Sequence, residues 1–274
     1  MLRAQQISDK ATCRQAILAG QKKRAAAWLA QQSMCPEIAV LTALNHPAEP
    51  LTAWRTALAL LEPLGASVDL LLSHRELAKL MRAGEDRTAQ AQHLAAAAQI
   101  AKHLRRGKEE SELLTILAVT EAALGKVESA RNRHSDALRE AVNHEDHLLI
   151  IVNGTVLCGM LMGSNQWEDA ASVAVLVERS CVHRHNWIGL ASARLQRSTC
   201  ALVRKQEQLA VELLLECGER LYQQGAVAAL NLIKARLGEL QQLLGRERLS
   251  ALQQQAQHTL QHSQESSDGN HHQP

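Results

Sequence analysis

The stretch LLTILAVTEAALGKVESARNRHSDALREA, residues 113–141, holds two apolar-periodic segments on either side of Leu124-Gly125. In the first, Leu113, Leu114, Leu117, Val119 and Leu124 recur at helical spacing. In the second, Ala130 and Ala137 stand close to two helical turns apart, so both fall on one face. The stretch therefore predicts a helix, a glycine turn and a second helix.

The same pattern recurs along most of the chain with a period of about 40 residues, longer than the shortest helical repeats and within the range of solenoid arrays. Leu117-Ala118 corresponds to Leu77-Ala78, Leu157-Cys158, Arg197-Ser198 and Leu237-Gly238, a small residue each time and a preceding Leu in four of the five. Leu124-Gly125 lies three periods before Leu244-Gly245, and Gly84 and Gly163 fall close to the matching places. Ala130, Ala170 and Ala210 form a second column, with Ser250 next in line and Pro50 two periods upstream. Ala57, Ala97, Ala137, Val177 and Cys217 form a third. Helices that cross closely and stack on their neighbours need small side chains where the backbones approach, so the columns read as packing positions. Polar connections such as HLRRGKEESE, VNHEDH and VHRHN suit turns between antiparallel helices. The resulting map places helices near 36–45, 50–63, 66–83, 87–104, 109–124, 127–142, 146–162, 166–181, 187–203, 206–223, 226–244 and 246–262.

Composition agrees with an all-α chain. Phe is absent, Tyr occurs once, and alternating β-branched or aromatic runs are missing. The apolar content is dominated by Ala and Leu, the better helix formers among apolar residues. With 30 Lys and Arg against 28 Asp and Glu, the net charge of +2 gives no global electrostatic case for nucleic acid or a membrane surface. The six cysteines, Cys13, Cys35, Cys158, Cys181, Cys200 and Cys217, are scattered without a CxxC pair and read as reduced, buried thiols. Polar residues interrupt every apolar run at the N-terminus, and no uninterrupted apolar stretch approaches the length of a membrane helix, so a cytoplasmic protein without a membrane span is expected.

With AALGKVESARNRHSDAL and GSNQWEDAASVAVL as its best examples, the repeat resembles the tetratricopeptide repeat: Leu and a small residue in the first helix, a Gly turn, then paired alanines. That family's unit is usually shorter, about 34 residues. The longer period, and the lack of the family's Trp, Tyr and closing Pro, make this chain more similar to the long-repeat sensor arms of MalT-like, LuxR-type activators, over roughly 50–262. Those activators also carry a nucleotide-binding module and a DNA-binding domain, and no GxxxxGK[ST] or DNA-reading domain is recognisable here. The resemblance implies a right-handed α-solenoid of antiparallel helix pairs that binds another protein. A HEAT-type array has a period in the same range and is the alternative fold.

The N-terminal segment 1–48 fits the lattice poorly and is expected to form a helical cap or degenerate repeat, followed by the array over 49–245. Residues 246–262 keep Leu249, Leu252, Ala256 and Leu260 at helical spacing under a Gln-rich outer face, as a capping helix would. Residues 263–274, SQESSDGNHHQP, contain no apolar side chain and read as a disordered tail.

No catalytic residue, metal site or cofactor is expected. His144, Asp146 and His147, with His183 and His185 one period on, are the strongest ligand cluster, and stacked repeats would bring the two turns together. No HExxH or CxxC accompanies them, so surface histidines in connecting loops are the better reading. GxSxG, GxGxxG and P-loop patterns are absent. The short basic runs at 22–24 and 105–108 lack interleaved aromatics for base stacking and suit solvated helix ends.

Tetratricopeptide arrays use a concave groove formed mainly by the first helix of each pair. Carrying the repeat register around that face gives Arg75, Lys79 and Arg82, then Thr115 and Val119, then Thr155 and Met162, then Leu195 and Thr199. The predicted groove is basic at one end and small, hydroxylated or apolar through its middle, suited to an acidic peptide or helix with apolar anchors. A merely solvated charged stripe at Arg75, Lys79 and Arg82 fits the sequence as well. Three functions remain open: an adaptor or scaffold that binds a protein partner, a small-ligand-sensing arm of a regulatory system, and an enzyme using the His cluster. The first is favoured because repeats occur without a catalytic constellation.

Overall fold

Eight consecutive turns of one kind set the register of this chain. The computed structural model describes residues 8–45 and 48–269. Within them lie α1 (Lys10–Leu18), α2 (Lys22–Leu29), α3 (Pro36–Asn45), α4 (Pro50–Leu61), a 3-10 turn at Glu62–Leu64, α5 (Val68–Ala83), α6 (Arg87–His103) and α7 (Gly107–Ala123). There follow α8 (Val127–Asn143), α9 (His147–Gly163), α10 (Trp167–His183), α11 (Trp187–Val203), α12 (Glu207–Gln223), α13 (Val227–Leu244) and α14 (Arg246–Gly269). No strand occurs among the described residues. From α6 to α13 the helices begin at a constant step, at Arg87, Gly107, Val127, His147, Trp167, Trp187, Glu207 and Val227, so the sequence repeat is two helix–turn units of equal length.

Each unit closes in the same way. Glu85, Arg105, Gly125, Glu145, Asn165, His185, Lys205 and Gly225 all adopt positive φ, one in each of the eight connections from α5 to α13. The N–H of the next residue then donates to the carbonyl five positions back, as in Asp86 to Met81 at 2.9 Å and Gln206 to Ala201 at 2.8 Å. This is Schellman closure, in which a left-handed residue ends the helix and satisfies its last carbonyls. Gly84 and Gly163 do not supply the left-handed residue: Gly84 caps α5 at φ −87° and Gly163 is the last residue of α9. Six of the eight turn residues carry a side chain, so the turn rests on hydrogen-bond closure rather than on glycine.

The chain divides into two compact units, Met1–Arg133 and His134–Pro274, with the division inside α8. In the first, α1, α2 and α3 pack on one another around Cys13, Ile17, Ala25, Leu29, Ile38 and Leu41. Helix α3 then packs on α4, α4 on α5, α5 on α6 and α6 on α7. In the second, each helix from α9 to α14 packs on the next, and α9 on α11, α11 on α13 and α12 on α14 also touch. Packing on both the next helix and the one after it defines stacked antiparallel pairs, a tetratricopeptide-like helical-repeat solenoid.

The small-residue columns are the packing positions. Ala57, Ala97, Ala137 and Val177 have no exposed surface and Cys217 has 2%. Ala130, Ala170 and Ala210 are equally buried, whereas Ser250 is exposed on α14 and Pro50 opens α4 at its first turn, where a missing N–H leaves no bond unmade. The last helix continues to Gly269, beyond the expected end at 262, because Ser, Gln and Glu tolerate a helix and no Pro or Gly interrupts them before Gly269. Residues 270–274 of the expected tail lie outside the described residues.

Candidate functional site

Arg75, Lys79 and Arg82 occur at i, i+4 and i+7 of α5, so they form one stripe about 10 Å long. The stripe borders a cleft of ≈740 Å³ lined by Arg82, Arg87 and Gln90 on one side and Thr115, Ile116, Val119 and Thr120 of α7 on the other. A second cleft of ≈200 Å³ shares Arg82, Gln90 and Ile116 and adds Arg75, Lys79, Leu94 and Glu112. Five of the nine residues singled out from the sequence, Arg75, Lys79, Arg82, Thr115 and Val119, are thus gathered in unit 1.

The electrostatics of this cleft are lopsided. Lys79 Nζ lies 2.6 Å from Glu76 Oε1, while Arg75, Arg82 and Arg87 make no ion pair with the described residues. Glu85 and Glu112 are the acidic groups on the rim. Against this cationic ridge stand Ile116, 44% exposed, and Val119, 59% exposed, at i and i+3 of α7. Solvent-facing aliphatic side chains beside unpaired guanidiniums offer one wall for charge and one for apolar burial.

In unit 2, Met162, Leu195 and Thr199 line a cleft of ≈340 Å³ together with Ser192, Leu232, Arg236 and Glu239. Its one cation is paired internally through its terminal nitrogens: Arg236 Nη1 donates to Glu239 at 2.7 Å and Nη2 to Thr199 Oγ1 at 3.0 Å, while its buried Nε makes no hydrogen bond with the described residues. Thr155 is half-buried on α9 and lines neither cleft. The exposed side of α9 is instead aliphatic, through Leu148, Val152 and Val156.

The histidine-bearing turns do meet. The His147 and His183 rings stack at 3.9 Å, and His147 Nδ1 lies 3.2 Å from Ser180 Oγ. His185 sits edge-on to Trp187 at 5.6 Å, and His144 is exposed. No group of three or more His, Cys, Asp or Glu side chains among the described residues could hold a metal ion.

A buried charge network in unit 2 went unread in the sequence. Glu178 of α10, 5% exposed, pairs with Arg194 at 2.9 Å and Arg197 at 2.8 Å, and Arg194 grips Glu216 of α12 with both terminal nitrogens. Burial pushes the Glu178 carboxyl above the ordinary range while the two guanidiniums pull it back. The available signal was Arg197, which replaces Leu in the Leu-small column: a cation in a core column implies a buried acid nearby.

Fold and clefts together define the class, a helical-repeat protein with side-chain-lined grooves. No family model matches the chain, and no curated protein sequence matches it significantly. Among solved structures, a Podosopora anserina protein described as a kinesin light chain with nearly identical TPR-like repeats is similar at 14% identity and a TM-score of 0.46, over 83% of this chain and 93% of that one. A signal-transduction ATPase with a tetratricopeptide repeat sensor from Pyrococcus horikoshii reaches a TM-score of 0.49 at 14% identity, over 90% of this chain and 40% of that one. A Rap protein complexed with Competence and Sporulation Factor gives 0.44 at 14% identity, over 89% and 73%. Likeness at this level adds nothing to the fold assignment, which rests on this chain's own helix register.

Proposed function

We propose that this chain is a non-catalytic interaction scaffold, an adaptor that binds an acidic segment with apolar anchors along the first-helix face of its repeats, with α1–α3 as the N-terminal cap of the array. The observation that carries this reading is the unit 1 cleft, where Arg75, Arg82 and Arg87 lack an internal acidic partner and face Ile116 and Val119. Charge complementarity would select an acidic partner, and aliphatic anchors would add burial at about 25 cal/mol per Å². The free cysteines, five of them buried, suit a reducing compartment such as the cytoplasm.

The test uses fluorescent peptides carrying Glu at i, i+4 and i+7 with intervening Leu, and a Gln-for-Glu control. The acidic peptide should bind at pH 7.5, the control should bind weakly, and added salt should weaken the former. Arg75→Glu combined with Lys79→Glu and Arg82→Glu should lower affinity about tenfold, three rim pairs contributing roughly 0.5 kcal/mol each. Equal binding of both peptides, or no effect of charge reversal, would remove the cleft from the site. A small-ligand sensor is the alternative; the ≈740 Å³ cleft is within the size range of ligand pockets. A thermal shift with metabolites but not with peptides would favour it.

A further inference from the structure

His74 of α5 and His93 of α6 meet with Nδ1 to Nδ1 at 3.1 Å, their rings 5.3 Å apart. Both helices carry the unit 1 cleft: Arg75, Ala78 and Lys79 come from α5, Gln90 and Leu94 from α6. In the helix register this contact joins one position of a helix to the preceding position of the next. The same two places hold Leu94 and Leu113, and Leu214 and Ile233, all buried. At 134 and 153 they hold His134 and Asn153, hydrogen-bonded at 2.8 Å. A pair of histidines therefore occupies a contact that buried apolar pairs fill at Leu94–Leu113 and Leu214–Ile233 and a hydrogen-bonded polar pair fills at His134–Asn153.

The contact demands one arrangement of protons. Two nitrogens at 3.1 Å are compatible when one ring carries hydrogen on Nδ1 and the other presents a lone pair there. Proton uptake by the acceptor puts two N–H donors face to face and a charge into a helix interface where His74 is 8% exposed. We propose that the His74–His93 contact is a proton-sensitive latch between α5 and α6, which opens on acidification and disassembles the cationic cleft. The link to the cleft rests on the docking function proposed above; the latch itself does not.

Burial, with the charge of His93, holds His74 down at about 4, and burial also lowers His93, helped by Arg55. Of the elements packed against the pair, α4 presents Arg55, and the 3-10 turn presents Glu62, which opposes the lowering. Helix α3 has Glu37 as its one charged residue, held by Lys10 at 3.1 Å. Helix α7 contributes Glu112 at the cleft rim, while its Glu109 is taken by Arg106 and its Glu121 by Ser129. On α5 itself, Asp69 is paired with Arg14 and Lys79 with Glu76. The sign follows from linkage: with the folded value below the unfolded one near 6.5, the unfolded chain takes the proton first. Stability is lost as pH falls from about 6.5 towards 4.

The experiment measures amide hydrogen exchange of the full chain at pH 7.5 and 5, corrected for intrinsic rates, in the native protein and in His74→Leu/His93→Leu, the pairing that Leu94 and Leu113 already make. Native α5–α6 amides should lose protection by roughly thirtyfold at pH 5, and the double variant should not. The same pH response in both would overturn the latch. Imidazole NMR titration of the native protein is an independent check should the variant fold poorly. Titration of either His74 or His93 at an ordinary midpoint near 6.5 would overturn it as well. Neither measurement uses a peptide, so failure of the latch and failure of the docking site are separately readable.

Discussion

A carboxylate in a helix interface holds its neighbours as much as they hold it. Glu178 neutralises Arg194 and Arg197, whose side chains are only 10% and 23% exposed. Glu178→Gln keeps the shape and removes the charge, leaving Arg197 without its carboxylate and Arg194 with Glu216 alone in a low-dielectric interior. The expected loss is about 3 kcal/mol in urea unfolding, the low end for breaking a buried pair, because Arg197 retains some water. The left-handed turn residues give the opposite sign. Arg105 and Lys205 are exposed at φ 54° and 61° and make no ion pair with the described residues. Arg105→Gly and Lys205→Gly should each stabilise by roughly 0.5 kcal/mol, since relief of Cβ strain exceeds the added freedom of the unfolded chain. A fall in the urea midpoint of either variant would show that the turn tolerates its side chain without strain.

At the scale of the helix, uniform turns coexist with uneven caps. Asp86, Asp146 and Asn186 accept the N–H of the third residue of α6, α9 and α11 at 2.9, 3.2 and 3.0 Å. Gln206 occupies the same place before α12 with no side-chain cap. Gln206→Asp should therefore stabilise unit 2 by about 1 kcal/mol, and a matched Asp86→Ala should destabilise unit 1 by a similar amount, both read as urea midpoints. The helices themselves were legible in the sequence because Leu117, Ala137 and Val177 report core positions directly: each is an apolar or small residue at a fixed step. All twelve mapped elements from Pro36 onward are present, with ends differing by at most two positions except at α14. The left-handed turn was not legible, because Glu85, Arg105 and Lys205 give no local sign of positive φ when hydrogen-bond closure rather than glycine enforces it. For the candidate site, the register located Arg75, Lys79 and Arg82 on one stripe, since that follows from helix geometry alone. It could not locate Arg87 and Gln90, which reach the cleft from α6, nor the His74–His93 contact, which depends on how two helices face each other.

For the molecule as a whole, the six free cysteines are built-in reporters of how its cores open. Cys35 is half-exposed, its Sγ donating to Glu37 at 3.2 Å. Cys13, Cys158, Cys181, Cys200 and Cys217 are buried, and burial pushes Cys158 up to about 12 and Cys181 and Cys217 to about 11. A maleimide needs both access and thiolate, so native protein at pH 7 should react rapidly at Cys35 and slowly at the other five. Six should react in denaturant. The slow reactions then measure opening equilibria within each unit, provided reclosing outpaces labelling. Cys181 of α10 and Cys217 of α12 lie on the helices that Glu178 and Glu216 tie to α11, so Glu178→Gln should accelerate their labelling by about a hundredfold, the factor equivalent to ~3 kcal/mol. Mass spectrometry of time points would assign each rate. Rapid native labelling of any thiol besides Cys35 would show a core more open than this packing allows, and unchanged rates at Cys181 and Cys217 in the variant would show that the charge network does not hold α10, α11 and α12 together.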